Sequence, residues 1–426
     1  MMRMPEAGSD PTLVLGGAGA ATMVREAAAR EANGLPVVHL EIGEPTMATP
    51  PHVVDAAVDA MRRGETRYGP PAGTPELRAA IARHQARRGV AAKADDVVVT
   101  VGAKSALFNA ILACVRPGDQ VLVPDPGYPS PAAVVRYAGG TPVPYTVRPA
   151  PSPALHIGDI ARSITPRTRA LVLNSPHNPT GALLDTFELD RLAALAREHD
   201  LLVISDEIYS EHVYDRAHES IASRPGMIER TVLVDGFSKA YAMTGWRLGY
   251  AVLPSSRRAG MMRLLVHSTT CVPTFVQRAG VAALTGPQDA TVAQRDEMRA
   301  KRDWLVAALN EIPGVRCAPP RGAFYAFVDV REMLETAGET DEQLAMRLLR
   351  EYGIATVPGS AFGAGGAGHI RISYAASEGD LKVALEALAA CGSGTGANAG
   401  GVPRASSTSG THVSERGRLD RASVRV

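Results

Sequence analysis

Six short apolar, β-branched runs punctuate the middle of the chain: Val97–Val101, Val121–Val123, Ala170–Leu173, Leu201–Ile204, Thr231–Val234 and Gly249–Leu253. None alternates apolar with polar residues, as a strand with one wet face would. Strands apolar on both faces must be covered on both. Helical patterns lie between the runs, among them Pro75–Arg88, Ser105–Val115 and Phe187–His199. This alternation predicts an α/β fold, a mostly parallel sheet in a three-layer α/β/α domain, because helices supply the crossovers that parallel neighbours need.

From about Gln294 the pattern changes. A charged helix over Gln294–Glu311 leads to a strand-like Gly322–Val328, a helix at Asp341–Glu351, a strand at His369–Ser373 and a last helix at Glu378–Ala390. We read 294–391 as a smaller α+β domain and 49–293 as the large one. Residues 1–48, with a helix over Ala20–Ala32, are expected to join the small domain because they precede the sheet. The segment 392–426 is rich in Gly, Ser, Thr and Arg and reads as a disordered tail, as does Met1 to about Thr12. There is no internal repeat.

Composition narrows the function. A formal net charge of +1 over 426 residues gives no electrostatic reason for nucleic acid or an anionic membrane as partner. Cys114, Cys271, Cys317 and Cys391 fit neither a zinc pattern nor a disulfide framework, so no metal is expected and the thiols read as reduced and cytoplasmic. No apolar run reaches the length of a membrane span, and the N-terminus lacks the order of a signal peptide.

Open α/β sheets bind ligands at the carboxyl ends of their strands, so the residues after each apolar run matter most. After Val97–Val101 comes Gly102-Ala103-Lys104-Ser105, a turn into a helix whose free amides can hold an anion, though many such turns hold none. After Ala170–Leu173 comes Asn174-Ser175-Pro176-His177-Asn178-Pro179-Thr180-Gly181, which alone reads as a Pro-rich turn. After Leu201–Ile204 comes Ser205-Asp206-Glu207-Ile208-Tyr209. After Thr231–Val234 comes Asp235-Gly236-Phe237-Ser238-Lys239, with Arg247 eight residues further on. A lone Lys at a strand end is usually a solvated charge; this one lies among small and apolar residues. Gly16–Ala20 is half of a dinucleotide fingerprint without its strand–helix context and reads as a loop.

Together these strings resemble the signature segments of the class I/II aminotransferases, pyridoxal-phosphate enzymes of fold type I. SKAYAMTGWRLGY is similar to the lysine motif, and VGAKSALFN, NSPHNPTG and SDEIY follow the family's order from about Leu35 to Ala390. The resemblance implies pyridoxal 5′-phosphate as cofactor, bound to Lys239 as a Schiff base, with Lys239 also moving the proton. It implies Asp206 against the pyridine nitrogen, Asn178 and Tyr209 on the phenolic oxygen, and Tyr128 stacked on the ring. The phosphate would lie on the Ala103 and Lys104 amides with Arg247, and Ser238 would offer a hydroxyl; a hydroxyl often found at the position of Gly236 is absent. Arg371 and the Gly43 amide, with Asn178, would bind the α-carboxylate, since an Arg fork matches it. Tyr68 matches a residue that reaches a neighbouring subunit, which implies a homodimer with shared active sites.

The implied reaction moves an amino group between an L-amino acid and a 2-oxo acid in two half-reactions. Lys104 stands where some aspartate aminotransferases pair a substrate's distal carboxylate, which points to glutamate or aspartate as one partner. Two departures oppose it: Gly16–Ala21 offers no hydroxyl, and His267–Pro273 offers no Arg. The same scaffold hosts β- and γ-lyases, oxidases and synthases, and a non-catalytic regulator is the reading from another class. No room for a DNA-binding domain precedes the core, which opposes the regulator.

Overall fold

The computed structural model describes residues 19–149 and 153–392. In chain order the strands are β1 (Val38–His39), β2 (Val97–Val101), β3 (Gln120–Asp125), β4 (Thr141–Arg148), β5 (Ala154–Leu155), β6 (Thr168–Asn174), β7 (Leu202–Asp206), β8 (Thr231–Gly236) and β9 (Leu248–Val252). They are followed by β10 (Tyr325–Asp329), β11 (Ile354–Ala355), β12 (Val357–Pro358) and β13 (His369–Ser373).

Eight strands form one sheet in the order β2-β9-β8-β7-β6-β3-β4-β5. Neighbours among β8, β7, β6, β3 and β4 run parallel, whereas β9 runs antiparallel to both β2 and β8, and β5 to β4. Alternate residues of β8 show why both faces must be covered. Val232 and Val234 join a cluster with residues of the helix Gly102–Cys114, Leu233 joins the cluster on the other face, and all three have no exposed surface. Fully burying a Val or Leu is worth about 1.5–3 kcal/mol. The sheet is the mostly parallel, helix-covered α/β arrangement expected.

The antiparallel sheet β10-β13-β12 forms a second core with the helix Asp289–Asn310 and the helix Glu378–Gly392. Helix α1 (Gly19–Ala32) packs Met23 and Ala27 against Ala345, Leu349 and Ala355, and β1 pairs in parallel with β11. The N-terminal segment thus meets residues more than 300 positions later.

Several bounds differ from expectation. The charged helix begins at Asp289 instead of Gln294, one residue after Gly286-Pro287, a stop-and-start signal that periodicity overlooked. The strand expected from Gly322 begins at Tyr325, because Ala323 has φ +58, left-handed backbone that no ladder continues. Strand β4 lay outside the apolar runs: Pro142 and Pro144 interrupt it and several of its residues are exposed. Prolines of this kind favour positions near a sheet edge. The last helix runs through Gly392, one residue into the expected tail, and Gly19 and Ala20, expected in the Gly16–Ala20 loop, instead open α1; the rest of that loop, the rest of the tail and the loose start lie outside the described residues.

Candidate active site

The parallel strands β6, β7 and β8 end side by side, with Asn174 opposite Asp206 and Asp206 opposite Val234. Asn174 knits these ends together. Its side chain accepts from the Asn178 amide at 2.8 Å and donates to the Asp206 carbonyl at 3.0 Å. Lys239 follows β8 in a turn, and its Nζ donates to the Gly43 carbonyl on the N-terminal loop. Tyr209 is buried, with its hydroxyl 2.8 Å from that of Tyr325.

Burial dominates the two ionisable groups here. It pulls the Lys239 ammonium down from 10.5 to about 8; Glu44 opposes this, while Arg371, Arg247 and Lys104 add to it. It pushes the Asp206 carboxyl up from 3.8 to about 7, against one hydrogen bond from the Ile208 amide at 3.2 Å. Among the described residues Asp206 has no ion pair within 4 Å. A half-buried carboxylate without a counter-charge is costly, so the geometry invites a cation.

Beside it lies a cradle for an anion. β2 hands over directly to the helix Gly102–Cys114, whose first turn has no side-chain cap and so presents free amides. Gly102 has φ +78, and a Cβ there would stand 2.7 Å from Arg247 Nη2. A Cβ at Gly249 would come within 2.3 Å of the Ala103 nitrogen. These glycines let the helix start, β9 and the Arg247 guanidinium crowd together. Arg247 Nη1 is held by the Thr244 carbonyl at 2.7 Å. Ser238 is buried nearby in sequence. At Gly236 a Cβ would meet the Gly249 Cα and the Leu248 carbonyl at 3.1 Å, so β8 and β9 approach closely here.

Lys104 is exposed, with its Nζ 5.8 Å from the ring centroid of half-buried Tyr128. The Gly127 amide donates to the Phe362 carbonyl at 2.8 Å, tying the Tyr128 turn to the loop after β12. Arg371, on β13, is buried. It donates to Asn178 Oδ1 at 3.1 Å and to the Glu41 carbonyl, and its guanidinium lies 4.3 Å from the Tyr325 ring centroid. Held on both edges and one face, the fork has a fixed orientation. A Cβ at Gly43 would stand 1.8 Å from the Tyr325 hydroxyl, so the loop passes that phenol only as glycine.

The fold therefore joins Lys239 to Gly43 and Arg371 to Asn178 directly, and links Asp206 through Asn174 and Tyr209 through Tyr325, with Ala103, Lys104, Tyr128, Ser238 and Arg247 on the adjoining turns. It does not bring in Tyr68, which is 89% exposed on this chain's own surface. Sequence reasoning missed Tyr325, whose only signal was an aromatic pair in a strand-like run. It also missed a buried network behind the strand ends. Arg88 reaches Asp235 at 3.0 Å and Glu207 at 3.8 Å, and Glu207 also accepts from Ser205, Ser220 and His218. Nothing local marked Arg88, the residue that caps the C-terminus of an ordinary charged helix.

A family model, aminotransferase class I and II, matches residues 36–388. The chain belongs to that family. This aminotransferase is 42% identical over 363 residues to an aspartate/prephenate aminotransferase of Thermus thermophilus, covering 84% of this chain and 91% of the relative. It is 39% identical over 386 residues to an arginine–pyruvate transaminase of Pseudomonas aeruginosa, covering 90% and 97%. The solved structure of an aspartate aminotransferase from Rhizobium meliloti superimposes with a TM-score of 0.85 at 38% identity, over 90% of this chain and 98% of that one. Similar identity to relatives named for different substrates means that likeness alone does not select one. No helix among the described residues is long and apolar enough to cross a membrane.

Proposed function

We propose that this aminotransferase uses pyridoxal 5′-phosphate, held covalently by Lys239, to transfer the amino group of an acidic amino acid, glutamate or aspartate, to a 2-oxo acid. The observation that carries the cofactor reading is Asp206, a carboxyl with no ion pair within 4 Å among the described residues, near a lysine pulled to about 8 and next to an anion cradle. A protonated pyridine nitrogen supplies the missing cation, a phosphate fits the cradle, and an aldehyde needs the amine. The residues present therefore fit the group. When bound, it supplies an electron sink for negative charge at the substrate's α-carbon.

The chain's own residues do the rest. Asp206 keeps the ring nitrogen protonated. Asn178 and Tyr209 hold the phenolic oxygen, and Tyr128 covers the ring. The Ala103 and Lys104 amides, Ser238 and Arg247 hold the phosphate, joined by Tyr68 from the second subunit of a homodimer. Arg371, Asn178 and the Gly43 amide fix the α-carboxylate, which orients the α-proton toward Lys239. With its pKa near 8, the Lys239 amine can both take that proton and return it near neutral pH. Lys104, on the Tyr128 side of the site, pairs a distal carboxylate. Relatives named aspartate aminotransferases, including one from Pyrococcus abyssi at 40% identity over 83% of this chain, support that choice.

The same reading treats 49–293 as the cofactor domain and 294–391 with the N-terminal segment as one small domain, supported by the packing of α1. It places the enzyme in the cytoplasm, which suits its four unpaired cysteines.

Adding glutamate or aspartate to purified holoenzyme should change its visible absorbance and release one equivalent of 2-oxo acid. Lys239→Ala should do neither, and normal turnover by that variant would contradict the proposal. Lys104→Met should raise KM for glutamate and aspartate but not for alanine. Equal effects on all three would remove the acidic-substrate assignment.

A further inference from the structure

We propose that Tyr325 is a positioning residue that couples the carboxylate site at Arg371 to the hydroxyl of Tyr209. This rests on the role given to Tyr209 above. Tyr325 sits at a junction of three segments. Its hydroxyl lies 2.8 Å from that of Tyr209, its ring carries the Arg371 guanidinium at 4.3 Å, and Gly43 passes too close to its oxygen for any side chain. Gly43 in turn accepts from Lys239. One phenol therefore touches the residues assigned to the phenolic oxygen and the carboxylate, and the loop that holds the lysine.

Either hydroxyl can donate in this pair, and the surroundings favour Tyr325. A cation over the Tyr325 ring face withdraws charge and makes its O–H the stronger donor. Burial raises the pKa of both phenols and Arg371 lowers both, but the neighbouring Asp206 adds to the rise at Tyr209, which stands further above the ordinary value than Tyr325. Tyr325 thus donates to the Tyr209 oxygen and leaves the Tyr209 proton to point elsewhere. Hydrogen bonds in a chain strengthen one another, so Tyr209 becomes a better donor to the oxygen it serves. A carboxylate arriving at Arg371 neutralises the cation over the ring and weakens that support. Substrate binding at one end of the site then changes proton affinity at the other.

A filler role in the core would need only the ring, which packs edge-on against Tyr209. Tyr325→Phe keeps the ring and removes the hydroxyl, so it separates the two roles. The measurement is the pH titration of visible absorbance in resting holoenzyme without substrate, which follows the Lys239–cofactor linkage. The charged groups facing Lys239 are Glu44, Arg371, Arg247, Lys104 and Asp206, and Tyr325→Phe alters none of them. Its midpoint should rise by roughly half to one pH unit, because Tyr209 stabilises the unprotonated linkage less well. In a Tyr209→Phe background the same change should add nothing, since its effect passes through Tyr209.

An unmoved midpoint in Tyr325→Phe, or an equal shift in the Tyr209→Phe background, would overturn the coupling. A wild-type enzyme without any Lys239-dependent visible band would instead overturn the cofactor reading, and the coupling with it.

Discussion

Asp206 and Glu207 are adjacent carboxylates at the end of one strand, and they meet opposite fates. Glu207 turns to the back of β7, where Arg88, His218, Ser205 and Ser220 surround it. Burial would raise its pKa, but these partners hold it below the usual range. Asp206 turns to the front and has one backbone amide, so burial wins and its carboxyl rises to about 7. Burial is common to both. The difference is whether the fold supplies a paired counter-charge, and at Asp206 it supplies only Lys239, beyond ion-pair distance. A carboxylate that the chain leaves uncompensated is one the ligand is meant to complete.

Exchanging each carboxyl for its amide should separate the two roles. Asp206→Asn should lower kcat by about 10²–10⁴-fold, the usual range for loss of one ionised catalytic partner. It should leave urea unfolding of the apoprotein unchanged or slightly improved. Glu207→Gln should do the reverse, keeping kcat within a few-fold. It breaks a buried pair and leaves Arg88 with less compensation, which costs about 3–5 kcal/mol in comparable cases. A folded but inactive Glu207→Gln would break the distinction between front and back.

Arg371 tests the front wall at smaller amplitude. Arg371→Lys keeps the charge but loses the fork and its fixed stacking on Tyr325. A charge-assisted hydrogen bond is worth about 1.5–3 kcal/mol, so kcat/KM should fall by roughly 10–100-fold, mainly through KM. Steady-state kinetics with the preferred donor would measure it.

The smallest effect concerns pH and carries the sign of the comparison. The Asp206 pKa is raised on folding, so between about pH 4 and 7 the folded apoprotein binds more protons than the unfolded chain. Its contribution to stability is present at low pH and is lost as pH rises toward 7. Glu207, whose pKa is lowered, contributes above its unfolded value and loses that contribution as pH falls. The stability difference between wild-type apoprotein and Asp206→Asn should therefore decline from pH 4 to 7. A flat difference in urea titrations would show that Asp206 has a counter-charge after all.

The same contrast explains what the sequence made legible. Strand ends and motif residues were readable because apolar runs fix the strands, and a sheet of this class puts the following residue in the crevice. That placed Lys239, Asp206 and Asn178 after the strands, and the resemblance to class I/II aminotransferases is what gave them roles. Arg88 and Tyr325 were not, because each draws its meaning from contacts across the chain: Arg88 lies 147 positions from Asp235, and Tyr325 lies 116 from Tyr209. A charge at a helix end and a tyrosine in a strand carry no local mark of such partners. Strand β4 escaped because its prolines and exposed residues break the apolar pattern. The expectation of a homodimer rests on Tyr68 alone, and one chain's geometry leaves that residue on the surface.

Reduction of the holoenzyme with borohydride, followed by digestion and mass spectrometry, tests the central claim most directly. The reduced cofactor should be found on the peptide that contains Lys239 and on no other lysine, with Lys239→Ala taking up none. Label on Lys104 or another lysine, or label that persists in Lys239→Ala, would contradict the assignment of the strand-end site.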